Sequence, residues 1–383
     1  MKLGLVLTND WELFGDGSGD YFELQHNPMN DLLDLITAQN AKITIMAEVG
    51  QQFAHQENIN IYPEFEKICL GWEEIVQKAI KTGNDVQLHY HSQWQGAEYK
   101  NGEWHLKMDR WALPSLSPDE IELNLSKGKK YLDDLLKPIN NDYSCDVFRA
   151  GALCIQPSEK PIEILNKTGF KADSSVTQGE FSPGFYDFRN AYSNIIPWYT
   201  SKDITQPGDR GEGILEIPIY TFSGLDSSVM KKYMPAIYYL IKFGQSVSSE
   251  SLQWQQDRER VKEVRYPRSK RFYKKNQKTN FNFYMKAILS QSHFHLDYDF
   301  LPPEVFVKIL KDILKENSSK FNNDLILPVV ALGHIKDIPN TKNIEMILKL
   351  IKSELADEVI FWTMSDAVNY WQDKAHTKER KLS

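Results

Sequence analysis

The chain has 383 residues, 41% of them hydrophobic and 12% aromatic, which is enough to bury a large core in one or two domains. A net charge of −7 argues against a protein that grips nucleic acid through overall positive charge. Three cysteines, Cys69, Cys145 and Cys154, contain no Cys-x-x-Cys pair, so neither a disulfide scaffold nor a cysteine zinc site is indicated and reduced thiols are expected.

Residues 3–8 read as a short buried strand, followed by an acidic, glycine-rich loop over 9–20. The apolar opening is too short for an export leader, and no later run approaches the roughly 20 apolar residues that span a bilayer. A cytoplasmic protein with no transmembrane segment is expected. Leu32, Leu33, Leu35 and Ile36 have helical spacing within 30–39, and 43–46 is a second strand. Over 63–81, Phe65, Ile68, Trp72, Ile75, Val76 and Ile80 share one side of a helix. A strand over 86–89 follows. This alternation predicts a parallel sheet with helices packed outside it.

A polar and aromatic loop spans 95–116. Ser117-Pro118-Asp119-Glu120 then starts a helix that runs to about 136: serine caps, proline opens the first turn, and Glu120 stands three residues after the cap. Residues 147–150 form a strand carrying Arg149. A helix over 159–168 is stopped by Gly169. The strand 170–172 leads into Asp173, and 215–218 is another short strand. Between 201 and 291 the alternation breaks down, so an irregular insertion is expected within a single domain over 1–383. Residues 265–278 hold seven basic side chains among aromatics and read as a solvated segment in preference to an RNA, lipid or glycan surface. The alternation resumes with residues 285–290, a helix over 303–316, a strand over 329–332 that delivers His334, a helix over 343–355 and a strand over 359–363. Ser365 and Asp366 are expected to cap a last helix ending near Trp371, before a charged tail over 373–383.

The chemistry-bearing residues collect at strand ends. His89 and His91 are two apart, so both imidazoles point to one side of a strand end and can reach one ion. Asp10 and Glu12 follow the first strand, Arg149 ends the fourth, Asp173 follows the next, and His334 follows the strand at 329–332. In a parallel barrel or open sheet all carboxyl ends of strands lie on one rim, and that rim carries the active site. His293 and His295 repeat the His-x-His spacing, but they alternate with Phe294 and Leu296 and read as strand residues.

Five ordered pieces, Leu7-Thr8-Asn9-Asp10-Trp11-Glu12, Leu88-His89-Tyr90-His91-Ser92-Gln93-Trp94, Phe148-Arg149-Ala150-Gly151, Ala172-Asp173-Ser174-Ser175 and Ala331-Leu332-Gly333-His334, resemble the motifs of the polysaccharide deacetylases, the NodB-homology or carbohydrate esterase family four. The resemblance is to a divergent branch. Trp11 stands where commoner members carry a second aspartate, and the histidines are two apart rather than four, with Gln93 four residues after His89. The resemblance implies a parallel (β/α) barrel, a distorted seven-stranded relative of the TIM barrel, with a long insertion. It implies a metal-dependent hydrolase that removes an N-acetyl group from an amino sugar or glycan precursor and releases acetate. The ion would be zinc, with nickel or cobalt as alternatives, held by His89, His91 and an N-terminal carboxylate, either Asp10 or Glu12. Asp10 would be the general base, Arg149 its charge partner, His334 the general acid, and Asp173 the group that orients His334. Trp94, beside Trp104 and Trp111, is a candidate to stack on the sugar, and Trp11 a candidate to contact it. Two other readings are a catalytically degenerate barrel that binds a glycan or partner protein, and a hydrolase of small non-sugar amides.

Overall fold

Alternation along the N-terminal strand sets the frame of the molecule. In β1 (Lys2–Trp11), Leu3, Leu5, Leu7 and Trp11 lie on one face, and Val6, Thr8 and Asp10 on the other. The indole of Trp11 packs against Trp72, ring centroids 5.5 Å apart, so the face with Trp11 is turned outward to the helices and the face with Asp10 lines the sheet's concave side. The computed structural model describes residues 1–225, 234–265, 291–322 and 324–377.

The strands that matter to the site are β1, β2 (Thr44–Glu48), β3 (Asp85–Tyr90), β4 (Val147–Ala150), β5 (Ala172–Asp173), β6 (Leu215–Glu216), the hairpin strands β7 (Thr221–Leu225) and β8 (Gln291–His295), β9 (Ile326–Gly333) and β10 (Val359–Trp362). The helices are α1 (Asn27–Ala38), α2 (Val49–Asn58), α3 (Phe65–Lys81), α4 (Pro118–Leu136), α5 (Glu159–Lys167), α6 (Pro235–Phe243), α7 (Ser249–Arg265), α8 (Pro303–Asn317), α9 (Lys342–Glu354) and α10 (Met364–Trp371). β1 pairs in parallel with β9 over residues 2–9, with β10 over 3–6 and with β2 over 8–11. Parallel pairing continues from β2 through β3, β4 and β5 to β6. Beyond β6 the chain crosses to β9: Ile217 N–H donates to Asp173 O, and Tyr220 N–H donates to Val330 O. Seven strands therefore close into a ring, with β10 set beside the first half of β1. The fold is a distorted (β/α) barrel, and its strands deliver their carboxyl ends to one rim. Among the described residues no helix is long and apolar enough to cross a membrane.

Most expected elements are present within a residue or two. The start of α4 carries the full capping box, with Ser117 Oγ accepting from Glu120 N–H and Glu120 Oε2 accepting from Ser117 N–H. The differences have physical causes. β1 continues through residues 9–11, where a loop was expected, because β2 pairs with that half of the strand. α2 was not anticipated: Val49-Gly50-Gln51-Gln52 has no apolar period, and the helix is started by Glu48, whose side chain accepts from Gly50 N–H and Gln51 N–H. Thr363 caps α10, while Ser365 instead hydrogen-bonds Asp85. Within 201–291 the described residues form β6, β7, α6 and α7 in place of an irregular segment. The basic residues 266–278, the stretch 285–290 where the alternation was expected to resume and the tail from 378 lie outside the described residues.

Ser117→Ala removes one half of the capping box and should cost about 1 kcal/mol of stability, read as a lower midpoint in denaturant with an unchanged circular-dichroism spectrum.

Candidate metal centre and catalytic cup

The parallel register places Glu48, His89 and Arg149 side by side across β2, β3 and β4. Arg149 is fully buried. Its Nη1 donates to Asp10 Oδ1 at 2.6 Å and to Thr8 Oγ1 at 2.9 Å, its Nε to Ser174 O at 2.7 Å, and its Nη2 to Ser174 Oγ at 3.1 Å. Burial alone would raise the Asp10 carboxyl, but the Arg149 guanidinium, then His89 and His334, outweigh it and hold Asp10 below the usual carboxylate range.

Next to this pair, Glu12, Glu48, His89 and His91 bring one ligand atom each to within 4.8 Å of one another, all four residues buried. His89 turns Nδ1 to the carbonyl of Arg149 at 3.0 Å, which leaves Nε2 facing Glu12 Oε2 at 3.3 Å and Asp10 Oδ2 at 4.0 Å. An imidazole held by its other nitrogen on a backbone carbonyl is the usual state of a metal ligand. His91 Nε2 is 2.5 Å from Glu12 Oε2. Two imidazoles and two carboxylates that converge on one point are the donor types a divalent ion takes, so the donor set fits such an ion. Gly151 makes room for this arrangement, since a Cβ there would lie 2.5 Å from the His91 ring.

Three members of the cup escaped sequence reasoning. Glu48 accepts from Gly50, Gln51 and His91 N–H at 2.6, 3.2 and 2.7 Å; burial nevertheless pushes it up to about 8. Lys336 is buried and sets Nζ 2.5 Å from Glu12 Oε1. Burial opposes ionisation of Glu12, but His91, Lys336 and His89 hold it well below the ordinary value. Glu216, the β6 neighbour of Asp173, is the third. Only Lys336 had a local signal, its place two residues after His334.

The other candidate residues divide. His334 stands at the rim, 27% exposed, with Nε2 3.9 Å from Asp10 Oδ2 and its backbone N–H donating to Asp299. Burial and then Lys336 lower its pKa, so the resting imidazole is neutral. Asp173 does not orient it. Its carboxylate accepts from Ser175 N–H at 2.9 Å and Ser175 Oγ at 3.0 Å, and the β5–β6 register sets it beside Glu216, so burial raises both acids. The Asp173-Ser174-Ser175 turn instead buttresses Arg149 through Ser174. Trp11 is no sugar contact, since it is fully buried and its indole N–H donates to Gln25 O. Trp94 is buried too, under Ala54, Phe65 and Trp104, because α2 and the hairpin at residues 98–105 cover it. Of the three loop tryptophans, half-buried Trp111 stands beside the cup, its ring 6.1 Å from that of His91. His295 lies in β8 as expected, with Nδ1 3.1 Å from Glu180 and Nε2 3.8 Å from Asp297. Burial works against its charged form, but these two acids raise it to about 9.

Fold and cup together define a distorted (β/α) barrel with a carboxylate–imidazole centre on its carboxyl rim. No protein-family model and no curated protein matches the chain. Solved structures do match. One is a protein from Mycobacterium smegmatis assigned as a polysaccharide deacetylase, 13% identical over 100% of this chain and 94% of that one, TM-score 0.48. Another, assigned likewise, is from Pseudomonas aeruginosa PAO1, at 13% identity over 97% and 91%, TM-score 0.41. A third is a GH57 branching enzyme from Thermococcus kodakaraensis, at 11% identity over 99% and 72%, TM-score 0.49. At such identities these likenesses carry nothing about substrate.

Two outcomes are expected. Purified protein should carry about one equivalent of divalent metal by elemental mass spectrometry, lost in His89→Ala/His91→Ala. Binding should release protons from His89, whose pKa is raised against the opposing effect of burial by Asp10 and Glu12, and from Glu48, so affinity should climb from about pH 6 to about pH 8. The Asp173–Glu216 pair tests separately. Both acids are raised, Asp173 to about 6 and Glu216 well above its ordinary value. The native state thus keeps protons that the unfolded chain releases above about pH 4, and the pair's contribution to stability falls as pH rises through that window. Glu216→Gln should flatten this fall in urea titrations run across the range.

Proposed function

We propose that the chain is a metal-dependent hydrolase of the polysaccharide deacetylase type, which removes an N-acetyl group from an amino sugar or glycan precursor and releases acetate. The observation that carries the reading is the buried Asp10–Arg149 pair, which lies between the His91–Glu12 corner and His334 at the rim. A divalent ion, zinc first among the candidates, held by Glu12, His89 and His91 with Glu48 in reach, would polarise the acetyl carbonyl and make its bound water acidic.

The chain's own residues supply the proton chemistry. Arg149 keeps Asp10 ionised and spends Oδ1, which leaves Oδ2 to accept a proton from water as that water attacks the carbonyl carbon. His334 Nε2 lies 3.9 Å from the same oxygen. Because His334 rests neutral, it takes up the proton that Asp10 has gathered and gives it to the departing amine nitrogen as the C–N bond breaks. Acetate and a free amino sugar result, with every proton drawn from the water consumed.

A second reading, a barrel that binds a glycan without turnover, has one observation in its favour: Lys336 already neutralises Glu12. The two readings part on metal content and on acetate release. His334→Ala should lower acetate release from N-acetylated sugars by at least about 100-fold while its metal content stays at the wild-type level. Full activity in that variant would remove His334 as the acid, and glycan binding with no acetate release by wild type under any divalent ion would establish the second reading.

A further inference from the structure

A cavity of about 470 Å³ reaches His334 between α6, α7 and the β7–β8 hairpin. That is room for a drug-sized ligand, more than one sugar ring occupies. One wall is aromatic. Phe222 and Phe294 stack across the hairpin with centroids 5.9 Å apart and planes 27° from parallel, and Lys242 Nζ lies 3.6 Å from the centre of the Phe294 ring.

The polar lining is largely matched within itself. His295 sits between Glu180 and Asp297, and Lys262 pairs with Asp337 at 3.3 Å. Arg258 is the exception. It is 2% exposed, its Nε has no hydrogen-bond partner, and its Nη1 makes a long 3.4 Å contact with Glu259, which is mostly in solvent. Asp299 gives one oxygen to the His334 N–H, and the carboxylate that Arg258 meets among the described residues is the distant one of Glu259. A buried guanidinium with an unspent donor is a receptor for an anion, and the Lys242 ammonium lines the same cavity.

We propose that this cavity receives the phosphate-bearing part of the substrate, with the phosphate on Arg258 near Lys242 and Lys262 and the apolar or flat group it carries lying on Phe222 and Phe294, while the amino sugar reaches His334. The substrate class is then a glycosyl phosphate ester, either a sugar nucleotide or a lipid-linked sugar. The role of His334 in this picture rests on the hydrolase reading; the binding of phosphate does not.

The test is equilibrium binding by calorimetry, without turnover, of uridine monophosphate and of farnesyl phosphate. Saturable binding of the first, weakened about tenfold or more in Arg258→Met (the loss of one charge-assisted contact), assigns a nucleotide; the same result with the second assigns a lipid phosphate. Should Arg258→Met not fold, Lys242→Met, on a partly exposed helix surface, is expected to weaken the same binding several-fold. No saturable binding of either ester by wild type, or wild-type affinity in the folded variants, overturns the proposal. Acetate release from a phosphate ester of N-acetylglucosamine is followed in parallel: its absence with binding intact counts against the hydrolase reading alone, and its presence without saturable binding of either probe counts against the phosphate site alone.

Discussion

The buried ion pair of Arg149 and Asp10 is the interaction on which the cup depends. Four hydrogen bonds from one guanidinium tie β1, β4 and the turn after β5 together at the carboxyl rim. Both charges are out of water, so each is tolerable only with the other in place, and deleting one partner of such a pair costs roughly 3–5 kcal/mol. The barrel geometry and the ionised state of the base are therefore the same fact seen at two levels. The turn Asp173-Ser174-Ser175 belongs to this support, since Ser174 accepts from Arg149 while Ser175 donates to Asp173.

A second constraint is charge balance around Glu12. Two imidazoles and Lys336 surround one carboxylate, and Glu48 stands close by, protonated by its burial. Lys336 sets a fixed cation beside Glu12, and an incoming divalent charge would expel the protons that His89 and Glu48 hold. Gly151 and the β3–β4 register keep the imidazoles close together.

The stretch between the barrel's two halves gives the rim its outer wall. Residues just after the β7–β8 hairpin join β9 directly: Leu296 N–H donates to Tyr220 O and Leu332 N–H donates to Leu296 O, two residues from His334. The aromatic cavity is thus fixed to the strand that carries His334, and α6 and α7 close its other sides. Site and cavity share one anchoring element, which is why a group bound in the cavity would be held in register with His334.

What could be read from the chain by itself was whatever depends on neighbours in sequence. The alternation of Leu3, Leu5 and Leu7, the Ser117–Glu120 capping box and the Gly169 stop are local, and the corresponding elements are where they were expected. So were the strand ends that carry Asp10, Glu12, His89, His91, Arg149 and His334, because parallel strands have only one rim on which to place them. Tertiary structure decided the rest. Glu48 enters the cup through the pairing of β2 with β3, Glu216 meets Asp173 through the register of β5 and β6, and Lys336 reaches Glu12 across 324 positions of chain. Trp11 and Trp94 resemble surface aromatics in sequence and are buried in the fold, by Trp72 in one case and by an unanticipated helix and hairpin in the other. A side chain's type and period follow from the residues beside it; its partners and its exposure follow from which strands close the ring, and that is settled only when distant segments pack.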